Sequence, residues 1–362
     1  MEEKEIKNQN EIIEETPLEE DDGKIFHDVK EENTGDKSLG NFKPGEYYSP
    51  NPLTDVKTTL LEIEKARESF VSLIKHFSLI RKVVLLVFLG VMAACAIVLL
   101  INQDMINKLF VPLLLIFAGF VVAIFIFLAV YKKRRGLEFN HYKYEYLLNM
   151  DTYAFGQNGI SNLEFSYNTS VSEEVVTRLN VYDDVVKVVS RDSIKGTYVG
   201  INFLSGEVLI KTGKVEEEKT QLPVFCGRFF AFNLQNSKGE AVIYLKNKGY
   251  GMPTNLKGFE PETVRGLKNE FKVWVDSKNA SSLLTKATVD ALNEFSVDEL
   301  IDDIIIKINK TEVIIGISYS DLFMKMPYDN PVPERNLTHL QNDVSKVLNF
   351  IAKLQTNKNV TK

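Results

Sequence analysis

The sequence predicts an α+β protein in which a two-helix transmembrane hairpin precedes a cytoplasmic domain of mixed sheet and helices. Amphipathic helices are expected before the hairpin and at the C-terminus. Two long uncharged stretches predict the hairpin, alternating apolar residues with turn signals between residues 137 and 330 predict the strands, and helical apolar spacing at both flanks predicts the amphipathic helices. Most strands follow one another without helices between them, which favours α+β over a doubly wound fold.

The first segment, residues 1–50, is strongly acidic. It contains 15 acidic and 6 basic residues, so it carries a charge of −9 within a chain of net charge −6, and the rest is about +3. Such a segment cannot bury enough apolar surface to offset its ordering entropy, so we expect a disordered tail. A partner-binding arm is the alternative, and a solvating extension is the favoured interpretation.

An amphipathic cytoplasmic helix is predicted over residues 52–82. Apolar residues recur there at spacings of four and three, from Val56 to Phe77, and Arg67 interrupts the stripe. The stripe could form a coiled coil with a second copy or dock on the chain's own cytoplasmic domain. Fewer than four heptads and a charge in the seam favour docking.

The transmembrane hairpin is predicted over residues 83–131. Residues 83–101 form a run of 19 without a charge, and residues 109–130 form a second run of 22. Each can cross a hydrocarbon core of roughly 30 Å at about 1.5 Å per residue. The short link 102–108 predicts a tight turn. Because no ionisable residue interrupts either run, the hairpin alone is not expected to form a channel or transporter.

Basic residues flank the outer ends of the two runs, whereas the turn offers only Lys108. The positive-inside rule therefore predicts a multi-pass protein of the cell membrane with both termini in the cytoplasm. Anionic lipid would attract each basic residue at this interface by about 1 kcal/mol. The candidate interface residues are Arg81, Lys82, Lys132, Lys133, Arg134 and Arg135.

Small residues form a notch in each predicted span. Gly90 and Ala94 are four residues apart, as are Gly119 and Ala123, and the two glycines are nearly equidistant from the turn. Small residues at this spacing let two backbones approach closely, so these four are candidate helix-packing residues. The alternative is that glycine and alanine are simply common in membrane helices.

The cytoplasmic α+β domain is predicted over residues 137–330, and a C-terminal amphipathic helix and tail over 331–362. A turn is expected at Ser205-Gly206. The C-terminal helix could pack on the domain or on the helix at 52–79, and packing on that helix is the favoured arrangement. Expected strands are 185–189, 198–203, 207–212, 224–234, 240–245, 304–308 and 312–318, and expected helices are 173–181, 261–269 and 282–295.

Four short segments of this domain carry a family resemblance. They are Arg-Asp-Ser-Ile-Lys-Gly at 191–196, a Phe-rich segment at 224–233, Phe-Lys-Val-Trp-Val-Asp at 271–276, and Asp-Leu-Phe at 321–323. After two adjacent spans, this order resembles the bacterial membrane-protein family of unknown function DUF3137, over residues 55–325. The resemblance implies a bacterial membrane protein with a cytoplasmic domain and supplies no activity. Its motif residues are Asp192, Gly196, Phe225, Gly227, Phe229, Asn233, Trp274, Asp321 and Phe323.

Catalytic signatures are not found in the sequence. The four histidines are scattered without metal-ligand spacing, so no metal and no cofactor are expected. Cys226 lies in an aromatic strand and is interpreted as a buried structural thiol. With only two cysteines, a disulfide framework is excluded, and a reducing compartment suits the chain.

The favoured function is a membrane-anchored binding or scaffold module. The expected partners are the anionic inner surface of the lipid bilayer, an unidentified protein and a second copy of the chain, and no nucleic acid is expected. The alternatives are a subunit of a transport or envelope-maintenance complex and an enzyme with an unrecognised cytoplasmic site.

Overall fold

The computed structural model describes residues 47, 49, 55–101, 106–166, 173–213, 222–234, 239–246, 251–276, 283–320 and 328–356. The acidic segment 1–46 therefore lies outside the described residues. The helices are α1 (Val56–Ile101), α2 (Ile106–Gly156), α3 (Glu173–Leu179), α4 (Lys286–Leu292) and α5 (Glu334–Thr356). The strands are β1 (Ser161–Ser166), β2 (Val185–Tyr198), β3 (Ile201–Thr212), β4 (Leu222–Phe232), β5 (Ala241–Lys246), β6 (Glu260–Glu262), β7 (Phe271–Val275), β8 (Ile301–Ile308) and β9 (Val313–Tyr319).

The first two helices are far longer than the apolar runs within them. α1 has 46 residues and α2 has 51, and each joins an apolar half to an amphipathic half without a break. They pack against each other through aromatic rings, with Phe77 on Tyr131 and Phe88 on Phe120, both at centroid distances of 4.8 Å. The predicted amphipathic helix and first span are thus a single helix.

The strands form one nine-stranded sheet in the order β1-β2-β3-β4-β9-β8-β5-β7-β6. Every pairing between its neighbours is antiparallel, so the expected mixed sheet is corrected to an antiparallel one. The strands expected at 304–308 and 312–318 are confirmed as β8 and β9, which form a hairpin in the middle of the sheet. The α+β class is confirmed.

Each face of the sheet has its own core. On one face, the amphipathic halves of α1 and α2 pack with α4 and α5, and Phe70, Tyr142 and Phe155 are almost completely buried. On the other face, α3 covers a smaller cluster that includes Phe225 and Phe229. Consecutive strand residues such as those of β8 alternate between the two cores, as the pleat requires.

The apolar stripe of α1 docks on the chain's own domain. Ile63, Phe70 and Phe77 are buried, which agrees with the predicted docking and leaves the coiled coil unsupported. Arg67 within the stripe pairs with Glu64 and donates a hydrogen bond to the backbone oxygen of Tyr328 at 2.8 Å. α5 packs mainly on α2 and α4 and has fewer contacts with α1 than the sequence suggested.

Three local predictions are wrong. Residues 198–203 do not form one strand, because β2 ends at Tyr198 and a two-residue turn leads into β3 at Ile201. Ser205-Gly206 lies inside β3 and is not a turn. The expected helix 261–269 begins in the edge strand β6 and continues as turns.

The β2–β3 turn contains a strained residue. Val199 has φ of 49° and Gly200 has φ of 78°, which is the pattern of a type I′ hairpin turn. A β-branched residue in this region is an outlier, whereas asparagine adopts it readily. Val199 is also 62% exposed, so its side chain contributes little packing.

We expect Val199→Asn to raise the free energy of unfolding by about 1 kcal/mol, because it relieves this strain without removing a buried contact. Denaturant unfolding in detergent, followed by the fluorescence of the single tryptophan Trp274, measures the change. Val185→Asn at the start of β2 is the control, since Val185 is exposed and has no positive φ. Equal stabilisation by both substitutions would contradict the explanation.

Candidate functional site

The apolar halves of α1 and α2 form an exposed apolar surface. Both helices are long and apolar enough to cross a membrane, within the stretches Val56–Ala94 and Leu114–Gly156. Leu86 is 69% exposed and Phe125 is 68% exposed. A contiguous apolar surface of this kind is rare on a soluble monomer and usually marks a membrane or protein contact.

The basic residues of the predicted interface lie where this apolar surface meets the amphipathic halves. Lys132, Lys133 and Arg134 follow Tyr131, which packs on Phe77, so they lie level with the middle of α1. Along α1, Arg81 lies about five residues nearer to the 102–108 link than the part of α1 that is level with Lys132. This separation is roughly 8 Å along the helix axis. The remaining members, Lys82 and Arg135, extend these two groups, and all six except the half-buried Arg135 are exposed. We call these six residues the basic collar.

The small-residue notches face away from the contact between α1 and α2. A Cβ atom added to Gly90 or Gly119 would meet no atom within 4 Å. Ala94 and Ala123 are likewise exposed. Aromatic rings such as Phe88 and Phe120 fill the contact between the helices instead. A packing role for the four small residues therefore stays a prediction, and within this chain they do not bring the two backbones together.

Two motif glycines lie where no side chain fits. A Cβ on Gly227 of β4 would lie 1.9 Å from the backbone oxygen of Ile317 on β9. A Cβ on Gly196 of β2 would lie 2.7 Å from the Cγ2 atom of Ile160 and 3.0 Å from the ring of Phe203. These glycines permit close packing of the sheet, and no ligand contact is needed to explain them.

The other motif residues lie at separate places in the domain. Phe225 and Phe229 stack at 4.5 Å on the α3 face, whereas Asp192 is buried on β2. Asn233 is exposed after β4, and Trp274 is half-buried on β7. Asp321 and Phe323 lie outside the described residues. The structure therefore does not gather the described motif residues into one site.

A buried ion pair that the sequence did not indicate joins α2 to the sheet. The Nη2 atom of Arg228 on β4 lies 2.6 Å from the Oδ1 atom of Asp151, and the two side chains are 4% and 2% exposed. The Arg228 guanidinium also lies 5.8 Å from the ring centroid of Phe155. Glu207 is opposite Arg228 in the β3–β4 register, and Asp192 lies nearby on β2. We call Asp151, Asp192, Glu207 and Arg228 the junction cluster.

A chain of hydrogen-bonded and ion-paired side chains leads from beside this cluster to the surface. Tyr319 donates to the Oδ2 atom of Asp343 at 3.1 Å, and the same oxygen lies 3.0 Å from Nδ1 of His339. The Nε2 atom of His339 lies 3.0 Å from the exposed Asp298. Burial opposes protonation of His339, but its two carboxylate partners outweigh burial and raise its pKa.

Weak sequence signals for this junction existed. Asp151 lies four residues from both Leu147 and Phe155, so it belongs to the buried stripe of α2. Arg228 is a charged residue within the Phe-rich segment at 224–233. A charge within an aromatic strand and a carboxylate within an apolar helical stripe together suggest a buried pair, but the sequence alone does not show that they meet.

Metal-ligating groups and clefts are two further kinds of site. Within the described ranges, no group of three or more histidine, cysteine, aspartate or glutamate residues is placed to hold a metal ion. A cleft of about 430 Å³ between α3 and β2 has Tyr182 and Lys187 among its lining residues. A second cleft of about 300 Å³, beside β6 and β7, is lined by Glu262, Lys268 and Lys272 among others.

Comparison with known proteins gives no family. No family model matches the chain, so the expected membership of DUF3137 is wrong. No curated protein matches either. The motifs behind that expectation are short, and Gly196, Phe225, Gly227 and Phe229 among them are explained by packing within an antiparallel sheet.

One solved structure is similar in part to this chain. It is the crystal structure of the mycobacterial trehalose monomycolate transport factor A, TtfA, with 12% sequence identity and a TM-score of 0.27. The similarity covers 54% of this chain and 91% of that one. At this TM-score, the similarity does not support a shared function.

Proposed function

We propose that the protein is a membrane-anchored binding module. The apolar halves of α1 and α2 span a cell membrane, both termini lie in the cytoplasm, and the sheet domain is held at the inner surface to bind a protein or lipid partner. The observation that carries this proposal is the distribution of exposed apolar side chains. Most of the large ones lie on residues 83–130, whereas the same helices bury their amphipathic halves in the domain.

The free energy of hydration supports this placement. Apolar surface contributes about 25 cal/mol for each Å² removed from water, and side chains such as Leu86 and Phe125 are mostly exposed in the isolated chain. A lipid bilayer would remove all of these exposed apolar side chains from water at once. The charge-free interior of the hairpin and the basic collar at its base agree with this orientation.

The unbroken helices support a rigid connection between membrane and domain. α1 and α2 carry no loop between their apolar and amphipathic halves. Phe70 of α1 packs on Phe139 and Tyr142 of α2 at 5.5 and 6.1 Å, inside the domain core. The domain therefore has a fixed orientation to the hairpin, which suits a module that presents a surface to partners at the membrane.

The topology can be tested by cysteine labelling in intact cells. In a background lacking Cys95 and Cys226, Gln103→Cys places a thiol in the link between the spans, and Val199→Cys places one in the exposed β2–β3 turn. A membrane-impermeant maleimide should label Gln103→Cys in intact cells and Val199→Cys only after permeabilisation. Labelling of Val199→Cys in intact cells, or recovery of the full chain in the soluble fraction without detergent, would overturn the proposal.

The basic collar should bind anionic phospholipid headgroups. The test is a triple variant that removes three positive charges: Lys132→Gln, Lys133→Gln and Arg134→Gln. Each lost charge should weaken the binding of anionic lipid by about 1 kcal/mol at low salt. The measurement is the amount of anionic lipid retained by the full chain in mixed nanodiscs, at low and high ionic strength. High salt should reduce the difference between the variant and the wild type, because exposed charges are screened.

A variant with the same change in charge distinguishes this contact from a general effect of net charge. Lys257→Gln, Lys272→Gln and Lys310→Gln remove three exposed charges from the sheet domain, distant from the hairpin in sequence. This control should retain as much anionic lipid as the wild type. Equal losses in both variants would show that the collar has no specific role.

A further inference from the structure

A row of polar contacts joins α5 to the segment 294–299, which leads into the central strand β8. They are Asn349 with Glu294 at 2.7 Å, Lys346 with Ser296 at 3.4 Å, His339 with Asp298 at 3.0 Å, and Arg335 with Glu299 at 3.4 Å. We call these four contacts the α5 seam. Arg335 and Glu299 are 61% and 70% exposed, so water screens their charges, whereas the side chain of His339 is only 17% exposed. The charge of His339 should therefore have the larger effect on the seam.

The imidazole of His339 lies between two carboxyl groups. Its Nε2 atom lies 3.0 Å from the Oδ2 atom of Asp298, just before β8, and its Nδ1 atom lies 3.0 Å from the Oδ2 atom of Asp343 on α5. The side chain of Asp343 is 2% exposed, whereas that of Asp298 is 46% exposed. The ring thus connects a buried carboxyl group of α5 to a carboxyl group that water can reach.

The other contacts of these carboxyl groups are those of hydrogen-bond acceptors. The Oδ1 atom of Asp298 accepts from the backbone N–H groups of Leu300 and Ile301 at 2.8 and 3.1 Å. The Oδ2 atom of Asp343 accepts from the hydroxyl of Tyr319 at 3.1 Å. A neutral imidazole has one N–H and one lone pair, so it would present the lone pair to one of the two oxygens. Only the imidazolium has an N–H for both.

We propose that His339 is a proton-dependent clasp that holds α5 against the start of β8. With both ring nitrogens protonated, His339 attracts Asp298 and Asp343 together. When one proton leaves, the remaining N–H stays with Asp343, because a buried carboxylate without a partner is less stable than an exposed one. The lone pair then faces Asp298 and repels it. Water can hydrate Asp298, so the contact between α5 and the segment 296–301 loosens.

The electrostatics of the two partners agree with this direction. Burial lowers the pKa of His339, but Asp343 and Asp298 outweigh burial and raise it above its ordinary value of 6.5. Burial raises the pKa of Asp298, but its hydrogen bonds with His339 and with the backbone lower it overall, so Asp298 stays ionised. The closed contact binds the proton of His339 more tightly than the open one. It is therefore favoured below pH 6.5, and opening becomes easier as the pH rises through the raised pKa.

The elements packed against α5 carry other titratable groups. Burial raises the pKa of Tyr319 on β9 and of Tyr146 and Tyr153 on α2, so these three stay neutral between pH 6 and 8. On α4 the titratable side chains are Lys286 and Asp290, and both are exposed.

Charged groups also lie at the start of α1 and along the seam. Asp55, just before α1, is exposed. The Nζ atom of Lys346 lies 3.9 Å from the Oδ1 atom of Asp343, and Glu294, Glu299 and Arg335 belong to the seam itself. Arg335 is the cation one turn before His339, so it needs its own variant.

Hydrogen exchange of the full chain in nanodiscs tests the clasp. Exchange of residues 296–301 and 334–341 is measured at about pH 6 and about pH 8 and corrected for the intrinsic pH dependence of exchange. The wild type should open about threefold more at the higher pH. His339→Gln should lose this difference, because glutamine does not titrate. Asp298→Asn should lose it as well, since an amide can donate to a neutral imidazole while its oxygen still accepts from the backbone.

Two control variants assign the effect. Arg335→Gln removes the neighbouring cation of the seam, and His141→Gln removes an exposed histidine from α2. Both should keep the pH dependence of the wild type. The proposal fails if the wild type shows no pH dependence, if His339→Gln or Asp298→Asn keeps it, or if either control abolishes it.

A measurement that leaves the clasp intact keeps the test valid if His339→Gln or Asp298→Asn does not fold. The chain has four histidines, so the triple variant His27→Gln, His76→Gln and His141→Gln retains His339 alone. Nitrogen NMR of its ring should show both nitrogens protonated at about pH 6 and a titration centred above pH 6.5. A titration centred at or below pH 6.5 would overturn the clasp. The result is separable from the anchor proposal, since it does not depend on which side of a membrane the domain occupies.

Discussion

Replacing Gly227 by alanine is expected to prevent stable folding of the sheet domain. The new Cβ atom would lie 1.9 Å from the backbone oxygen of Ile317 and 2.8 Å from the Cα atom of Ser318. Backbone atoms of a central strand cannot rotate away as a side chain can, so β4 and β9 would have to separate. We expect the free energy of unfolding to fall by at least about 4 kcal/mol, which is at the upper end of the effects of single substitutions. Unfolding followed by Trp274 fluorescence measures it.

Gly136→Ala is the matched control for that experiment. Gly136 lies inside α2, and an added Cβ would meet no atom within 4 Å. Alanine favours a helix interior over glycine by about 1 kcal/mol, so this substitution should be neutral or stabilising. If Gly227→Ala proved as stable as Gly136→Ala, the close approach of β4 and β9 would be wrong.

The contrast between these glycines shows what the sequence could and could not predict. The long uncharged runs, the β8–β9 hairpin and the apolar stripe of α5 were evident from spacing alone, because periodicity directly reflects which face is buried. The role of Gly227 depends on how closely a strand distant in sequence approaches it, which no local pattern encodes. The same applies to Gly196, whose neighbour Phe203 lies on the next strand.

The turn at Val199-Gly200 was missed for a different reason. A valine in the left-handed region carries no turn signal, since valine is typical of strands. Ser205-Gly206 gave the opposite error, because residues that favour turns also occur in strands where tertiary packing overrides local preference. The strand register therefore could not be fixed from the sequence near residues 198–206.

The junction cluster was the main part of the candidate site that sequence reasoning missed. Asp151 and Arg228 are far apart in the sequence, and their contact depends on how α2 crosses the sheet. The basic collar, by contrast, could be predicted, because it is defined by its position next to apolar runs in the sequence itself. Local features were therefore more predictable than contacts between distant segments.

Arg228→Met is expected to destabilise the domain by about 3 to 5 kcal/mol at neutral pH, because it leaves the buried Asp151 carboxylate without its cation. Methionine fills a similar volume, so the loss reflects charge more than a cavity. The loss of stability should become smaller as the pH falls, since protonation of Asp151 removes the charge that Arg228 no longer balances. Denaturant unfolding at several pH values in detergent measures both effects.

The double variant Asp151→Asn with Arg228→Met isolates the interaction. Removing the Asp151 charge should restore part of the stability lost in Arg228→Met alone, giving a coupling energy of about 1 to 3 kcal/mol. The remaining deficit reflects the loss of the Arg228 charge beside Asp192 and Glu207. If the two substitutions proved additive, Asp151 and Arg228 would not act as a pair. The Asp151–Arg228 contact would then contribute no coupling energy, and α2 would be held on the sheet by apolar packing alone.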